Sequence, residues 1–150
     1  VVAAGGVFDG RGLIAALALG ASGVKMGTRF ICANECTVHP NYKKAILEAR
    51  DRTTVVTGAA TGHPVRVLDN KLARRFLEAE RNGASAAELE ALGTGAMRLA
   101  AIEGDVENGS LMAGQIAAMV SREESCAQII SHIVRSAEDT LFRISALSKS

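Results

Sequence analysis

The sequence has almost no excess of charge, no long hydrophobic run and few cysteines. Lysine and arginine number 17 against 16 aspartate and glutamate, a formal net charge of +1, which gives no electrostatic reason to expect nucleic acid or an anionic membrane as partner. The longest apolar runs are interrupted by glycine, lysine or arginine well short of a bilayer's thickness. Three cysteines, an odd number, favour reduced thiols and a cytoplasmic location.

A targeting leader and a polar lead-in are also missing. The chain opens directly on the apolar residues Val1-Val2-Ala3-Ala4, with no methionine before them. Its 15.6 kDa and 48% hydrophobic residues suffice for one ordinary core, whereas a complete barrel of parallel strands needs about 250 residues. We therefore expect the chain to be the carboxyl-terminal part of something longer.

Two of the cysteines and a histidine have a spacing similar to that of metal ligands. Cys32, Cys36 and His39 form a C-x3-C-x2-H run. A structural zinc needs four ligands, and only Glu35 offers a fourth nearby. We therefore predict no metal site and interpret the cysteines as small, partly buried packing residues.

Two short apolar strands that each run into glycine are the most informative feature that is present. The first covers residues 1–6 (VVAAGG) and the second residues 24–28 (VKMGT). Between them, apolar residues recur at helical spacing after a cap at Asp9, and Gly20 stands where a helix would stop. The pattern predicts a strand, helix, strand unit.

The glycines that follow these strands point to an anion. Glycine at the carboxyl end of a strand lets backbone N–H groups approach an anion closely, and a barrel of parallel strands commonly binds phosphate between the loops after its last two strands. Gly5, Gly6 and Gly27 therefore predict a phosphate cradle that needs no cationic side chain. Tight turns between packed elements are the alternative.

The middle of the chain predicts a hairpin followed by helices. A helix is expected over residues 42–49. Residues 53–58 carry the strongest strand propensity, and we expect them to pair with residues 65–68. The pattern turns helical from residue 70 to 92, where Ser85 caps a second helix.

The last third predicts a glycine-rich loop and one long helix. Repeated glycines between residues 93 and 114 suggest a loop shaped around a ligand. Ser121 and Glu124 predict a capping box, and the apolar stripe that follows is expected to pack on the sheet. The stripe comprises Cys126, Ile129, Ile130, Ile133, Val134, Ala137, Leu141 and Ile144.

Five sequence blocks, taken in order, carry a family resemblance. They are residues 3–7 (AAGGV), 24–30 (VKMGTRF), 39–43 (HPNYK), 62–66 (GHPVR) and 105–115 (DVENGSLMAGQ). Together they resemble the nitronate monooxygenase (2-nitropropane dioxygenase) superfamily of FMN-binding barrels, and within it the FabK-type enoyl-acyl-carrier-protein reductases. The block at residues 105–115, combined with the one at 62–66, is the most discriminating.

The resemblance implies an α/β fold, namely the carboxyl-terminal portion of an FMN-binding TIM (β/α)8 barrel with a small, mostly helical inserted subdomain. Residues 1–52 would supply the last two strand and helix units of the barrel. Residues 53–120 would form the inserted subdomain with a flavin-facing loop, and residues 121–150 the final barrel helix.

The resemblance also implies a set of cofactor-binding residues. The FMN phosphate would lie on the amides around Gly5, Gly6, Met26, Gly27 and Thr28, in agreement with the cradle. Lys25 would neutralise the phosphate or the N1 region of the flavin, unless it points into the outer helical layer. The other side of the flavin would be approached by Met112, Ala113, Gly114 and Gln115, with the Gln115 amide offering a donor and an acceptor.

The resemblance implies that the catalytic histidine of the family lies upstream of the strand at Val1. None of His39, His63 and His132 occupies that position, and His132 is interpreted as a solvated helix residue. His63 and Arg66 are candidate contacts to the substrate or the nicotinamide. A histidine that fixes a turn and an exposed strand arginine are the alternatives.

The block that ends at Gln115 contains two carboxylates and an amide, which are side-chain types common in catalytic sites. Asp105, Glu107 and Asn108 are instead interpreted as shaping the turn that delivers Met112, because Asn-Gly is a strong turn signal.

The resemblance implies an FMN-dependent oxidoreductase with NADH or NADPH as co-substrate. Its reaction would be the reduction of enoyl thioesters carried on acyl carrier protein, in fatty acid synthesis. A nitronate monooxygenase, which oxidises small alkyl nitronates with oxygen, is the first alternative, and a non-catalytic fragment is the second. Exposed strand edges further predict aggregation or a homodimer for the chain alone.

Overall fold

Two parallel strands joined by a helix begin the chain, and a long helix ends it. The computed structural model describes residues 1–147, which divide into two units. Unit 1 combines residues 1–36 with residues 122–147, and unit 2 spans residues 37–121. In chain order the elements are β1 (Val2–Ala4), α1 (Gly10–Ala18), β2 (Gly23–Lys25), α2 (Thr28–Ile31), α3 (Pro40–Leu47), β3 (Thr54–Thr57), β4 (Val65–Leu68), α4 (Lys71–Arg81), α5 (Ala86–Gly93), α6 (Ala96–Ala101), a 3-10 helix (Gln115–Met119) and α7 (Cys126–Leu147).

The predicted strand, helix, strand unit is confirmed in unit 1. β1 and β2 pair in parallel, with Ala4 opposite Lys25. The Asp9 carboxylate accepts a hydrogen bond from the Arg11 amide at 3.0 Å and caps α1. Gly20, at φ +90°, donates its amide to the Leu17 carbonyl and ends the helix. Local signals were therefore sufficient to predict this unit.

The final helix packs mainly on α1, which corrects the prediction that its partner is the sheet. Gly10 makes this contact possible, because a Cβ there would overlap the backbone of Ser136 and Ala137. Only part of the predicted stripe is covered. Ile129 and Ala137 are buried, whereas Ile130, Val134, Leu141 and Ile144 are about half exposed.

The start of α7 also differs from the prediction. The capping box is formed by Ser125 and Gln128 instead of Ser121 and Glu124. The Ser125 amide donates to the Gln128 side chain at 2.8 Å, and the Gln128 amide donates to the Ser125 hydroxyl at 3.2 Å. Glu35 adds a second cap, since its carboxylate accepts from the Cys126 amide at 2.9 and 3.0 Å.

Glu124 is occupied by a buried ion pair, which explains why it does not cap the helix. Its Oε2 accepts from the guanidinium of Arg29, and both side chains are only 7% exposed. Arg122 donates to Oε1 at 3.0 Å, and Nδ1 of His132 lies 2.8 Å from the same atom. The His132 side chain is 47% exposed, which confirms the prediction of a solvated helix residue, and it also contacts Glu124. The Arg29 guanidinium also stacks over the Phe8 ring, 5.2 Å from its centroid.

These contacts set the protonation of the carboxylate. Burial acts to raise the pKa of Glu124, but hydrogen bonds from Arg122 and Arg29 outweigh it, so the pKa lies below its ordinary value of 4.5. Glu124 is therefore ionised at neutral pH, as its guanidinium partners require.

Unit 2 is built on the predicted hairpin, which is confirmed. β3 and β4 pair antiparallel, with Thr57 opposite Val65. A further segment lies against β4, because the Leu68 amide donates to the Leu111 carbonyl at 2.9 Å and the Ala113 amide to the Arg66 carbonyl at 3.2 Å. Residues 111–113 thus extend the hairpin on its β4 side.

Four α-helices (α3 to α6) and the 3-10 helix accompany the hairpin in unit 2. Ser85 and Glu88 form a capping box at the start of α5, as predicted for Ser85. The segment from 93 to 114 is not a continuous loop, because it contains α6 between Gly95 and Gly104. Gly104 is closely packed, and a Cβ there would overlap the ring of His39.

The core of unit 2 contains Ile46, Leu89 and Leu111, which are no more than 1% exposed. Within residues 1–147, no helix combines the length and the apolar character needed to span a membrane.

The corrected cap of α7 gives the first testable prediction. Ser125→Ala removes the side-chain acceptor of the capping box and lowers the free energy of unfolding by about 1 kcal/mol. Ser121→Ala is the matched control, since this exposed serine takes no part in the cap and the change stays within about 0.5 kcal/mol. Urea denaturation measures both. A larger effect at residue 121 than at 125 would restore the original assignment.

The buried ion pair gives the second prediction. Glu124→Gln leaves the Arg29 guanidinium buried without its counter-charge, so the free energy of unfolding at pH 7 falls by about 3 to 5 kcal/mol. Glu103→Gln is the control, because its pair with Arg98 is exposed (51% and 66%) and contributes less than about 1 kcal/mol. Equal effects of the two substitutions would contradict the assignment.

The same variant has a defined pH dependence. The folded pKa of Glu124 is lowered, so the stabilisation from its carboxylate is complete above the ordinary pKa of 4.5 and is lost as the pH falls through the lowered value. The difference in unfolding free energy between the wild type and Glu124→Gln therefore narrows on acidification below pH 4.5. Denaturation curves recorded at a series of pH values measure that difference.

Candidate functional site

The carboxyl ends of β1 and β2 form an open edge of backbone in unit 1. Because Ala4 lies opposite Lys25 in a parallel pair, the residues that follow the two strands emerge side by side. Gly5 and Gly6 have φ of +93° and +71°, which favours glycine, and a Cβ at either position would meet no atom within 4 Å. The space beside these glycines is therefore open to a ligand.

The amides of this edge are available for binding. Among residues 1–147, neither the Gly5 nor the Gly6 amide donates to a protein acceptor. Gly27 is exposed and also has open space beside it. Backbone N–H groups without protein partners are the kind of donors that bind phosphate oxygens.

The remaining predicted residues of unit 1 differ in their surroundings. Lys25 is exposed, and no carboxylate in residues 1–147 pairs with it. Met26 is partly buried, and Thr28 is buried at 8% exposure with its own contacts in the protein. The edge thus combines exposed glycines, one exposed cation and a buried support.

The predicted flavin-facing segment belongs to unit 2. Met112 forms a bridge to Val67, and its carbonyl accepts from the Tyr42 hydroxyl at 2.9 Å. Ala113 is buried, Gly114 precedes the 3-10 helix, and the exposed Gln115 is its first residue. This segment is held to β4 by main-chain hydrogen bonds.

His63 and Arg66 lie on the hairpin of unit 2. The His63 side chain is exposed, and its amide donates to the Gly58 carbonyl at 3.1 Å. The Arg66 guanidinium donates across the hairpin to the Thr54 hydroxyl at 3.1 Å. The turn role of His63 is thus carried by its backbone, and its imidazole remains open to solvent.

The polar residues at 105–108 shape a turn, as predicted. The Asp105 carboxylate accepts from the amides of Glu107 and Asn108 at 3.0 and 2.9 Å. A hydrogen bond from the Asn108 side chain is the main cause that lowers the pKa of Asp105. Asn70 holds the same turn, donating to the carbonyls of Val106 and Gly109 at 2.7 and 2.8 Å.

The cysteines and His39 take separate roles. His39 caps α3, its Nδ1 accepting from the Asn41 amide at 3.1 Å. Cys32 is fully buried. The pKa of the Cys126 thiol is raised by its own desolvation and by the nearby Glu35. Within the part of the chain that the structure describes, no three histidine, cysteine or acidic side chains are grouped to hold a metal ion.

Unit 2 also contains a cavity of about 690 Å³ that no sequence pattern predicts. It lies among the hairpin, α4, α5 and α6. Most of its wall is apolar, and the main apolar side chains are Val65, Val67, Leu72, Phe76, Leu89, Met97 and Met112. These residues are distant in sequence, so only the folded chain brings them together.

The buried pair of Arg29 and Glu124 was likewise missed. The two residues are 95 positions apart, so no local spacing connects them. Arg29 belongs to the sequence block at residues 24–30, but its charge alone did not mark it as buried.

Three comparisons with known proteins address the family. The family model described as nitronate monooxygenase matches residues 1–136. A probable nitronate monooxygenase from Staphylococcus saprophyticus is 34% identical over 143 residues, which cover 95% of this chain and 40% of the relative. The (3aS,4S,5R,7aS)-5-hydroxy-7a-methyl-1-oxo-octahydro-1H-indene-4-carboxyl-CoA dehydrogenase from Mycobacterium tuberculosis is also 34% identical, covering 98% of this chain and 52% of the relative.

A solved structure agrees with these relatives. FabK from Thermotoga maritima superposes with a TM-score of 0.92 at 44% identity, covering 98% of this chain and 47% of that one. The chain therefore spans about half the length of the relatives it matches. The family model covers nearly all of the chain and confirms the resemblance found in the sequence. The chain thus belongs to the nitronate monooxygenase family.

Proposed function

We propose that the protein is an FMN-dependent oxidoreductase that uses NADH or NADPH to reduce enoyl thioesters carried on acyl carrier protein. The observation that carries this proposal is the likeness to FabK from Thermotoga maritima, at 44% identity and a TM-score of 0.92 over 98% of the chain. This identity exceeds that of the nitronate monooxygenase relative from Staphylococcus saprophyticus, at 34%.

The residues at the open edge of unit 1 fit the phosphate of FMN. Gly5 and Gly6 offer amides without protein acceptors, and nothing within 4 Å fills the space that a Cβ would occupy. Gly27 and the exposed Lys25 add a second open stretch of backbone and a positive charge. When bound, FMN would supply the transfer of reducing equivalents from the nicotinamide to the substrate, and the protein would orient and tune it.

The segment from Met112 to Gln115 is proposed to contact the flavin ring. The Tyr42 hydroxyl and the bridge to Val67 fix the backbone of Met112. Gln115 is exposed at the start of the 3-10 helix, and its amide can both donate and accept a hydrogen bond. The exposed His63 and the cross-strand Arg66 remain proposed contacts for substrate or nicotinamide.

The exposed apolar surface of unit 1 supports a barrel. Val2 on β1 is 58% exposed, Leu17 on α1 is 42% exposed, and Leu141 on α7 is 53% exposed. In a (β/α)8 barrel, neighbouring strands and helices cover such positions. We therefore propose that unit 1 is part of a TIM barrel to which further strands contribute.

Nitronate oxidation is the second candidate function. The family model and the relative from Staphylococcus saprophyticus both favour it. The same flavin site would serve, with oxygen as electron acceptor and a small alkyl nitronate as substrate.

Assays on the protein in its full natural length separate the two reactions. We expect oxidation of NADH or NADPH that depends on added crotonyl thioester, followed by the loss of absorbance at 340 nm. Oxygen uptake that depends on an alkyl nitronate, without thioester-dependent oxidation, would replace the first proposal by the second. Activity in neither assay would contradict both.

The glycine edge gives a prediction for cofactor binding. Gly6→Ala places a methyl group where a phosphate would approach the backbone, and we expect it to weaken FMN binding by at least about tenfold, a loss of about 1.4 kcal/mol. Titration of FMN, followed by the quenching of its fluorescence, measures the dissociation constant.

Gly20→Ala is the matched control for this variant. Gly20 also has a positive φ and open space beside it, but it lies at the end of α1, away from the strand edge. Both substitutions cost about 1 to 2 kcal/mol of stability from the backbone conformation, whereas only Gly6→Ala changes FMN affinity. Equal affinities in the two variants would remove the cradle from the proposal.

A further inference from the structure

We propose that the cavity of unit 2 binds the acyl chain and carbonyl group of a thioester. This inference rests on the proposed function for the choice of a thioester as ligand. The cavity itself, its wall and its hydrogen-bonding groups are properties of the chain.

The size and wall of the cavity match a small apolar ligand. Its volume of about 690 Å³ lies within the range of 300 to 1,000 Å³ typical of ligand sites. On its wall, Leu72 and Leu89 are buried at 7% and 1% exposure, whereas Met97 is 55% exposed. Burial of an alkyl chain against such a wall is favourable in proportion to the apolar area removed from water.

The ionisable side chains of the wall favour a neutral occupant. No lysine or arginine lines the cavity, and the ionisable side chains on its wall are the exposed carboxylate of Glu90 and the exposed imidazole of His63. A phosphate or a carboxylate in this cavity would therefore find no lysine or arginine as counter-ion and would lie near the negative charge of Glu90. A neutral chain needs no counter-ion.

Hydroxyl groups supply the polar part of the site. Thr57 lines the cavity, is only 5% exposed, and its hydroxyl has no hydrogen-bond partner among residues 1–147. Ser110 also lines the cavity, and within residues 1–147 its hydroxyl makes no hydrogen bond. Within residues 1–147 no buried side-chain oxygen lacks a hydrogen-bond partner, so the Thr57 hydroxyl is accessible from the cavity and can donate to the carbonyl oxygen of a neutral acyl group.

Met112 connects the cavity with the proposed reaction. Its side chain lines the cavity, and its segment is the one proposed to contact the flavin ring. An acyl group held in the cavity would thus lie against the same segment. An apolar site elsewhere in the chain would not have this connection.

The test measures binding without turnover, on the full-length protein. The probes are the saturated thioesters decanoyl- and butanoyl-N-acetylcysteamine, which are not enoyl substrates, and calorimetry gives their dissociation constants. We expect the decanoyl probe to bind at least about tenfold more tightly, because each buried methylene group contributes about threefold to fourfold in affinity. Equal binding of the two probes, or tighter binding of a flat aromatic probe of similar size, would overturn the proposal.

Two variants examine the cavity wall. Gly93→Leu projects a side chain into the cavity, where an added Cβ makes only an ordinary 3.6 Å contact with Phe76. It should remove the advantage of the decanoyl probe and leave the butanoyl probe nearly unchanged. Ala91→Leu, on the exposed face of the same helix and outside the cavity, is the control and should change neither. The same loss in both variants would overturn the proposal.

The hydroxyl is tested separately. Thr57→Val keeps the branched shape in β3 and removes the donor, so both probes should weaken by the same factor, about threefold to tenfold. An unchanged affinity would remove Thr57 from the site. If chain-length dependence is found but no enoyl thioester is reduced, the proposed function fails and the cavity assignment stands. If enoyl thioesters are reduced but binding does not depend on chain length, the proposed function stands and the cavity assignment fails.

Discussion

The buried ion pair between Arg29 and Glu124 is the interaction on which the arrangement of unit 1 depends. It joins α2, directly after the second parallel strand, to the residue just before α7. A carboxylate and a guanidinium are tolerated at 7% exposure only when their charges and hydrogen bonds are satisfied together. Arg122, His132 and the Phe8 ring complete the surroundings of the pair. The segment after β2 is therefore fixed from the side of α7.

The carboxyl ends of β1 and β2 must hold glycines in an unusual backbone conformation and at the same time leave their amides exposed. Gly5 and Gly6 keep a backbone conformation that other residues rarely adopt, and their surroundings offer no packing to compensate for it. The two strands before these glycines are held in register by their own parallel pairing, and α1 packs on β2 and on α7. The packed strands and helices thus support the loop residues whose amides are exposed. Binding residues are commonly placed in this way, on loops that a rigid scaffold positions.

Sequence reasoning succeeded where neighbouring residues determine the structure. Asp9, Gly20 and Ser85 act within a few positions of themselves, and each was placed correctly. The cap of α7 shows the limit. Two pairs fit the capping-box spacing, Ser121 with Glu124 and Ser125 with Gln128. The Glu124 carboxylate is engaged by Arg29, which lies 95 positions away, so it is not used for the cap. The cavity of unit 2 and its Thr57 hydroxyl also depend on contacts between distant elements, so no local pattern could reveal them.

The contact between Gly10 and α7 has a consequence for the alignment of the two helices. Since the backbone of Ser136 and Ala137 occupies the place of a side chain at residue 10, α1 and α7 can pack this closely only because residue 10 has no side chain. The same helix begins two residues after Glu124. The close approach at Gly10 and the ion pair of Glu124 with Arg29 thus attach α7, and the segment just before it, to the rest of unit 1 at two separate places.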